Sequence, residues 1–362
     1  MSDQDAAFMA RALQLARNGL YTTDPNPRVG CVLVKDNQII AEGWHAEAGQ
    51  AHAEVDALAK LTNPDLSHGA TAYVTLEPCS HHGRTGPCCE ALIAAGITRV
   101  VVAMQDPNPL VAGNGLKKMR DAGIEVSCGL LQADAEQLNQ GFIKRMLTGL
   151  PFVRSKLAMS LDGRTALANG QSQWITSPQA RQDVQKWRAE SSAIVTGIDT
   201  VLADDPSLNA RVDFAVKQPL RVVLDSNLRM SPNAKMLQLP AETWLMTCNG
   251  DQAKQQSLRD AGCKVVQVVS DNGRVDLLQA FKYLAQQQIN SVWVEAGAAL
   301  NGALLDTDLV DEWLVYVAPC VLGDQARGLF HFAELQAMAE KKAFKFNAVR
   351  QVGPNLRLTL SR

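Results

Sequence analysis

A chain of 362 residues, 46% hydrophobic and 20% charged, carries too much apolar surface to be mainly disordered and is long enough for two domains. Its formal net charge of −2 lacks the basic excess of a general nucleic-acid binder. No apolar run approaches the roughly 20 residues of a membrane helix, and Met1–Ala10 lacks the basic-then-apolar pattern of an export signal, so a cytoplasmic protein is expected.

The first predicted element is a helix over Asp5–Asn18, with Phe8, Met9, Leu13 and Ala16 at helical spacing and Gly19 as its C-cap. Val29–Val34 reads as a buried strand. Lys35-Asp-Asn37 is a turn, and Gln38–Trp44 is the second arm of a hairpin. Then follow a helix at His52–Leu61, a strand at Thr71–Thr75, a helix at Cys88–Ala95 and a strand at Arg99–Ala103. A helix at Leu116–Ala122, a strand at Gly123–Val126 and a helix at Leu131–Lys144 complete this part. Such alternation predicts an α/β layered domain. Gly149 and Pro151 interrupt the pattern, so the boundary is placed at Leu147–Pro151.

The alternation then resumes. Strands are expected at Phe152–Ala158, Ala193–Thr196, Arg221–Leu224, Thr243–Thr247, Lys264–Val268, Ser291–Glu295 and Glu312–Val317. Helices are expected at Pro178–Ala189, Gln252–Ala261, Leu277–Gln287 and Leu300–Thr307. This is a second α/β domain.

Eight cysteines in a chain without an export signal read as thiols or metal ligands, not disulfides. Five of the six histidines fall within the first 82 residues. There His52-Ala-Glu54 precedes Pro78-Cys79 and Pro87-Cys88. One imidazole and two thiolates are the three protein ligands of a catalytic zinc site, with the fourth position left for water. Glu54, two residues from His52, is placed to pass a proton between that water and a leaving amine. The order H-x-E, then P-C and C, follows the zinc-dependent nucleobase deaminases, except that eight residues separate the cysteines instead of two. His81, His82 and Cys89 compete as ligands. Cys88 is favoured because it opens a helix after Pro87, where the dipole stabilises a thiolate. Cys31, Cys128, Cys248 and Cys263 lie in or beside apolar strands and read as core residues.

These motifs, with Asn26-Pro-Arg-Val-Gly30, Gly43-Trp-His45, Thr75-Leu-Glu-Pro-Cys79, Asp106-Pro-Asn-Pro109 and Gly113-Asn-Gly115, resemble the deaminase half of the bifunctional RibD family of riboflavin biosynthesis. The eight-residue spacing is that family's own form of the motif. Lys156–Thr165, Ser172–Thr176, Gly197–Leu208, Arg221–Ser226 and Val294–Gly297 resemble its reductase half. The resemblance implies an N-terminal cytidine-deaminase-like three-layer αβα domain over 1–147 and a C-terminal dihydrofolate-reductase-like domain over 151–362. It implies zinc on His52, Cys79 and Cys88, with Glu54 as proton shuttle. NADPH contacts are implied at Ala158, Trp174, Thr200, Asp204, Ser226, Gly297, Ala298, Ala299, Leu300, Asn301, Gly302 and Ala303. Substrate contacts are implied at Ser172, Arg188, Leu208, Arg211 and Glu295. The implied substrate is a phosphorylated pyrimidine, deaminated by hydrolysis and then reduced at its ribosyl group. No nucleic-acid or membrane partner is implied, and a homo-oligomer is left open. From the residues alone, Val294–Gly297 followed by a helix is a turn suited to a phosphate, and Arg188 and Arg211 suit a 5′-phosphate.

Overall fold

Reciprocal capping starts the first helix, Asp3–Ala16: the Ser2 hydroxyl accepts from the Asp5 N–H and the Asp5 carboxylate from the Ser2 N–H. A 3₁₀ turn at Arg17–Gly19 ends it. Residues 2–81, 86–109 and 111–362 are described by this computed structural model, in two units, Met1–Gly149 and Leu150–Arg362.

In the first unit a five-stranded sheet runs Gln38–Trp44, Gly30–Lys35, Thr71–Val74, Arg99–Val102, Glu125–Cys128. The first three strands pair antiparallel and the last three parallel. Strand geometry sends alternate side chains to opposite faces. Cys31 and Leu33 enter one core with Ala53, Ala57, Cys89, Leu92 and Met119. Val32 and Val34 enter the other with Met9, Ala12, Leu13 and Ala135. Helices therefore cover both faces, and the three-layer expectation holds. The predicted helix over Leu131–Lys144 is two helices, Gln132–Leu138 and Gln140–Thr148. The break falls at Asn139, a buried amide that exchanges two hydrogen bonds with the Arg28 backbone. That pairing joins positions 111 residues apart, which helical periodicity does not register.

The second unit holds a nine-stranded sheet. From one edge its strands are Cys263–Gln267, Thr243–Thr247, Leu220–Leu224, Ala193–Gly197, Ser291–Glu295, Phe152–Ser160, Glu312–Ala318, Asn355–Ser361 and Lys345–Val352. The first seven pair parallel and the last two antiparallel. Two apolar clusters lie on its two faces, one around Phe281 and Trp313, the other around Trp293 and Tyr316. The helix Ile198–Asp204 and the hairpin Lys345–Ser361 were not expected. The helix has only two turns, and the edge strand Lys345–Val352 is largely exposed, which leaves it no inward-facing apolar alternation.

Candidate active sites

In the first unit, the helix Ala53–Ala59 is pressed onto its strand at Gly43, where a Cβ would stand 2.3 Å from the Ala53 carbonyl oxygen. The Trp44 N–H donates to Asp56 at 3.0 Å and fixes the same junction. His52 is the N-cap of that helix, and Cys88 opens the helix Cys88–Ala94. His52 Nδ1 stands 3.6 Å from Cys79 Sγ and 3.3 Å from Cys88 Sγ, and all three donor atoms lie within 4.8 Å of one another. Tetrahedral zinc, with bonds of about 2.3 Å to sulfur and about 2.0 Å to nitrogen, spaces such donors about 3.5 Å apart. Soft sulfur and imidazole donors in a three-membered set fit a catalytic zinc site. Cys89, the neighbour of Cys88, packs into the apolar core instead. His81 is exposed, and His82 lies outside the described residues. Cys31 and Cys263 are buried, whereas Cys128 and Cys248 are partly exposed.

Glu54 is 3% exposed. Burial pushes its carboxyl up to about 7, against hydrogen bonding that includes the Cys88 thiol. A hydrogen bond from Cys88, helped by His52, lowers the Cys79 thiol, and the Cys88 thiol moves up in response. His45, buried against the edge of the His52 ring, faces the Ala51 carbonyl through Nδ1 and the Asn26 amide through Nε2. The Nδ1–H tautomer satisfies both contacts. No role for His45 or Asn26 was drawn from their motifs.

In the second unit several of the sequence-predicted residues lie at the carboxyl ends of the parallel strands. Ala158 lies near the end of Phe152–Ser160. Thr200 follows Ala193–Gly197, Ser226 follows Leu220–Leu224, and Gly297 follows Ser291–Glu295. Carboxyl ends of parallel strands are where open α/β sheets bind ligands. The helix Ala298–Thr307 begins there without a side-chain cap, so its first-turn N–H groups suit phosphate oxygens of a dinucleotide. Within that turn Asn301 is buried: it accepts from the Ser155 hydroxyl and donates to the Ala296 carbonyl. Trp174 is 69% exposed, with the Arg181 guanidinium 4.4 Å from its ring centre. Asp204 accepts from Gln173 at 3.3 Å. Leu208 is buried in the apolar core at φ +44° and does not face solvent.

Arg188 donates to both oxygens of Glu295 at 2.6 and 2.8 Å, and to the Asn209 carbonyl. Burial alone would raise the Glu295 carboxyl, but the charge and hydrogen bonds of Arg188, helped by Lys156 and Trp293, hold it down at about 2. Burial lowers the Lys156 ammonium. Arg211 is exposed and donates to Asn209. Lys156 was quoted only as part of a motif, and its place beside Glu295 follows from pairing of the two strands, Glu295 opposite Lys156.

Comparison with known proteins agrees with this geometry. Residues 2–104 match the cytidine and deoxycytidylate deaminase zinc-binding region, and residues 151–358 match the RibD C-terminal domain. The riboflavin biosynthesis protein RibD of Escherichia coli (strain K12) is 52% identical over 369 residues, covering 99% of each chain. The chain belongs to the RibD family. Acinetobacter baumannii RibD, in one crystal form, superposes with a TM-score of 0.93 at 49% identity, over 99% of this chain and 98% of that one. The Thermotoga maritima deaminase/reductase gives 0.87 at 34% identity, with the same coverage. As a RibD-family protein, the chain is a bifunctional riboflavin-biosynthesis enzyme with a zinc-dependent deaminase domain and an NADPH-dependent reductase domain. No helix among the described residues is long and apolar enough to cross a membrane.

Proposed function

We propose that residues 1–147 deaminate 2,5-diamino-6-ribosylamino-4(3H)-pyrimidinone 5′-phosphate and that residues 151–362 reduce the ribosyl group of the product to ribityl. The observation that carries this reading is the convergence of His52, Cys79 and Cys88 beside the buried Glu54. His52, Cys79 and Cys88 hold zinc, and the first-turn amides of Ala298–Thr307 with Ser226 and Thr200 hold NADPH. When bound, these groups supply Lewis acidity that activates water near neutral pH and a transferable hydride, respectively. Glu54 takes the proton of the attacking water and delivers it to the departing ammonia. Burial of Glu54 keeps bulk water from competing for that proton. In the second site Arg188 fixes Glu295 as a charged acceptor for substrate hydroxyl or amine groups, and Lys156 offers a donor beside it. Arg211, the exposed guanidinium, meets the 5′-phosphate. A phosphorylated substrate does not cross membranes unaided, which supports a cytoplasmic setting.

The test supplies each substrate to the intact chain while ammonia and NADPH are followed together. Chelation should stop ammonia release but leave NADPH oxidation with the deaminated substrate unchanged. Cys88→Ser should lose zinc and deamination, and Cys89→Ser should keep both. Zinc loss in Cys89→Ser with retention in Cys88→Ser would reverse the ligand assignment. Loss of reduction on chelation, with the circular dichroism intact, would mean one shared site and would remove the two-domain reading.

A further inference from the structure

Glu77 lies between the strand Thr71–Val74 and the ligand Cys79, and it is 5% exposed. A carboxylate so buried is costly unless compensated, and no Lys or Arg among the described residues pairs with it. Its compensation is four backbone N–H groups. Oε2 accepts from Asp106 at 3.1 Å and Gly113 at 2.9 Å. Oε1 accepts from Gly115 at 2.9 Å and Leu116 at 3.2 Å. Glu77 thus caps, from a distant part of the chain, the N-terminus of the helix Asn114–Asp121, whose own N-cap Gly113 has no side chain to offer. Through the Asp106 N–H it also ties in the backbone at Asp106.

Both the helix start and Asp106 stand close to the metal-binding residues. A Cβ on Gly115 would lie 2.1 Å from the Pro78 carbonyl oxygen, so the helix start rests directly on the residue before Cys79. The half-buried Asp106 carboxylate is close enough to Cys79 and His81 to interact with both electrostatically, and its Oδ1 accepts from the Asn108 N–H at 2.8 Å. The ligands themselves are tied elsewhere. The Cys89 N–H donates to the Cys79 carbonyl at 3.2 Å, and the Cys88 N–H points at Cys79 Sγ at 3.3 Å. Neither bond passes through Glu77.

We propose that Glu77 is a positioning residue for deamination: its carboxylate holds Asp106–Pro109 as a wall of the pocket that receives the pyrimidine beside the metal site. It acts on substrate capture and not on metal retention. This inference rests on the deaminase reading above and assigns a buried side chain that contacts neither metal nor reacting atoms.

The experiment uses Glu77→Gln in the full chain. An amide nitrogen cannot accept, so one pair of N–H groups loses its partner. Zinc per chain should remain at the wild-type value, as should the chelator concentration that removes it. The amides of Asp106, Gly113, Gly115 and Leu116 should exchange with solvent at least about tenfold faster, because unsatisfied buried donors favour local opening. KM for the diamino substrate should rise at least about tenfold with kcat little changed, the signature of lost uniform binding. NADPH oxidation with the deaminated substrate serves as the internal control and should not change. Glu77→Asp keeps the charge but falls one methylene short, and should give an intermediate KM. It replaces Glu77→Gln if that variant does not fold. Faster exchange with an unchanged KM would leave Glu77 a mere cap and overturn the proposal. Loss of zinc together with activity would also overturn it, placing the effect on the ligands. A wild-type chain that releases no ammonia from the diamino substrate would refute the deaminase reading itself, whatever the amides do.

Discussion

Glu54 and Glu295 are carboxylates withdrawn from solvent in two sites of one chain, and their surroundings move them in opposite directions. Glu54 makes no ion pair with Lys or Arg among the described residues, so burial dominates and its carboxyl rises to about 7. Glu295 is desolvated as well, but Arg188 grips both its oxygens and Lys156 adds a second positive charge, so it falls to about 2. Low dielectric strengthens whatever stands nearest: with no Lys or Arg beside it a buried carboxyl favours the neutral acid, with one it favours the ion, and zinc on the neighbouring ligands would draw Glu54 back down. The first site is built around a group that exchanges a proton, and the second around a fixed charge.

The largest effect expected from this contrast is on Glu54. Glu54→Gln keeps the shape but cannot accept the proton, and ammonia release should fall by about 10²–10⁴. Zinc content should persist, because Glu54 is outside the three-ligand set, and NADPH oxidation with the deaminated substrate should be unaffected. Deamination at a near wild-type rate would take Glu54 out of the chemistry and dissolve the comparison.

Glu295→Gln should act differently, on stability as well as on turnover. It leaves the Arg188 guanidinium, 8% exposed, without its charge partner. Breaking a buried pair from one side costs about 3–5 kcal/mol. Five of the six tryptophans, Trp174, Trp187, Trp244, Trp293 and Trp313, lie in the second unit, so tryptophan fluorescence in urea reports mainly its unfolding. The pH dependence follows from the depressed pKa. The contribution of Glu295 is complete above its unfolded pKa of about 4.3, and it is lost as pH falls toward its folded value of about 2. The wild-type midpoint should therefore drop between these limits, and Glu295→Gln should show a shallower drop. Parallel slopes in the two proteins would mean that the pair contributes no pH-linked stability.

The two sites also differed in how far they could be read from the sequence. Zinc demands particular side-chain types, and helix starts at His52 and Cys88 present them, so residue identity and spacing were enough to propose His52, Cys79 and Cys88, and the structure brings the three together. Cys88 could be preferred to Cys89 because it opens the helix directly after Pro87, where the dipole also favours a thiolate, and Cys89 does pack into the core. The second site resisted this approach. The groups proposed to meet phosphate there are backbone amides, which any residue supplies, and its Arg188–Glu295 pair joins positions 107 apart. Arg188 and Arg211 together suggested a phosphate clamp, but the Arg188 fork is occupied by Glu295, which leaves Arg211 as the exposed member of the pair. Parallel strands with buried apolar runs were legible across both units, because burial on both faces writes itself into composition. The hairpin Lys345–Ser361 was not, because its outer strand faces solvent. Glu77 stood in a quoted motif without a role, since its four partners are N–H groups that leave no mark in the sequence.

The smallest expected effect separates two glycines that looked equivalent in the turn after Glu295. The family resemblance implied NADPH contacts at both Gly297 and Gly302. Gly297 has φ −76°, and a Cβ there would meet nothing within 4 Å. Alanine fits at that position, and the change costs the N-cap preference alone, about 1 kcal/mol or less. Gly302 is buried, and a Cβ there would stand 1.8 Å from the His331 carbonyl oxygen. The contact is to backbone, and the His331 N–H is itself bonded to the Ala298 carbonyl in the same helix, so the segment cannot simply swing away. Overpacking of this kind costs about 1–3 kcal/mol. Gly302→Ala should lower the urea midpoint of the second unit and raise KM for NADPH, because the helix whose first turn is proposed to hold the cofactor must move. Gly297→Ala should leave the midpoint nearly unchanged, and any rise in its KM for NADPH would come from the added methyl at the open end of the turn. If Gly297→Ala proved the more destabilising of the two, the turn would be shaped by backbone freedom at Gly297 instead of by close packing at Gly302.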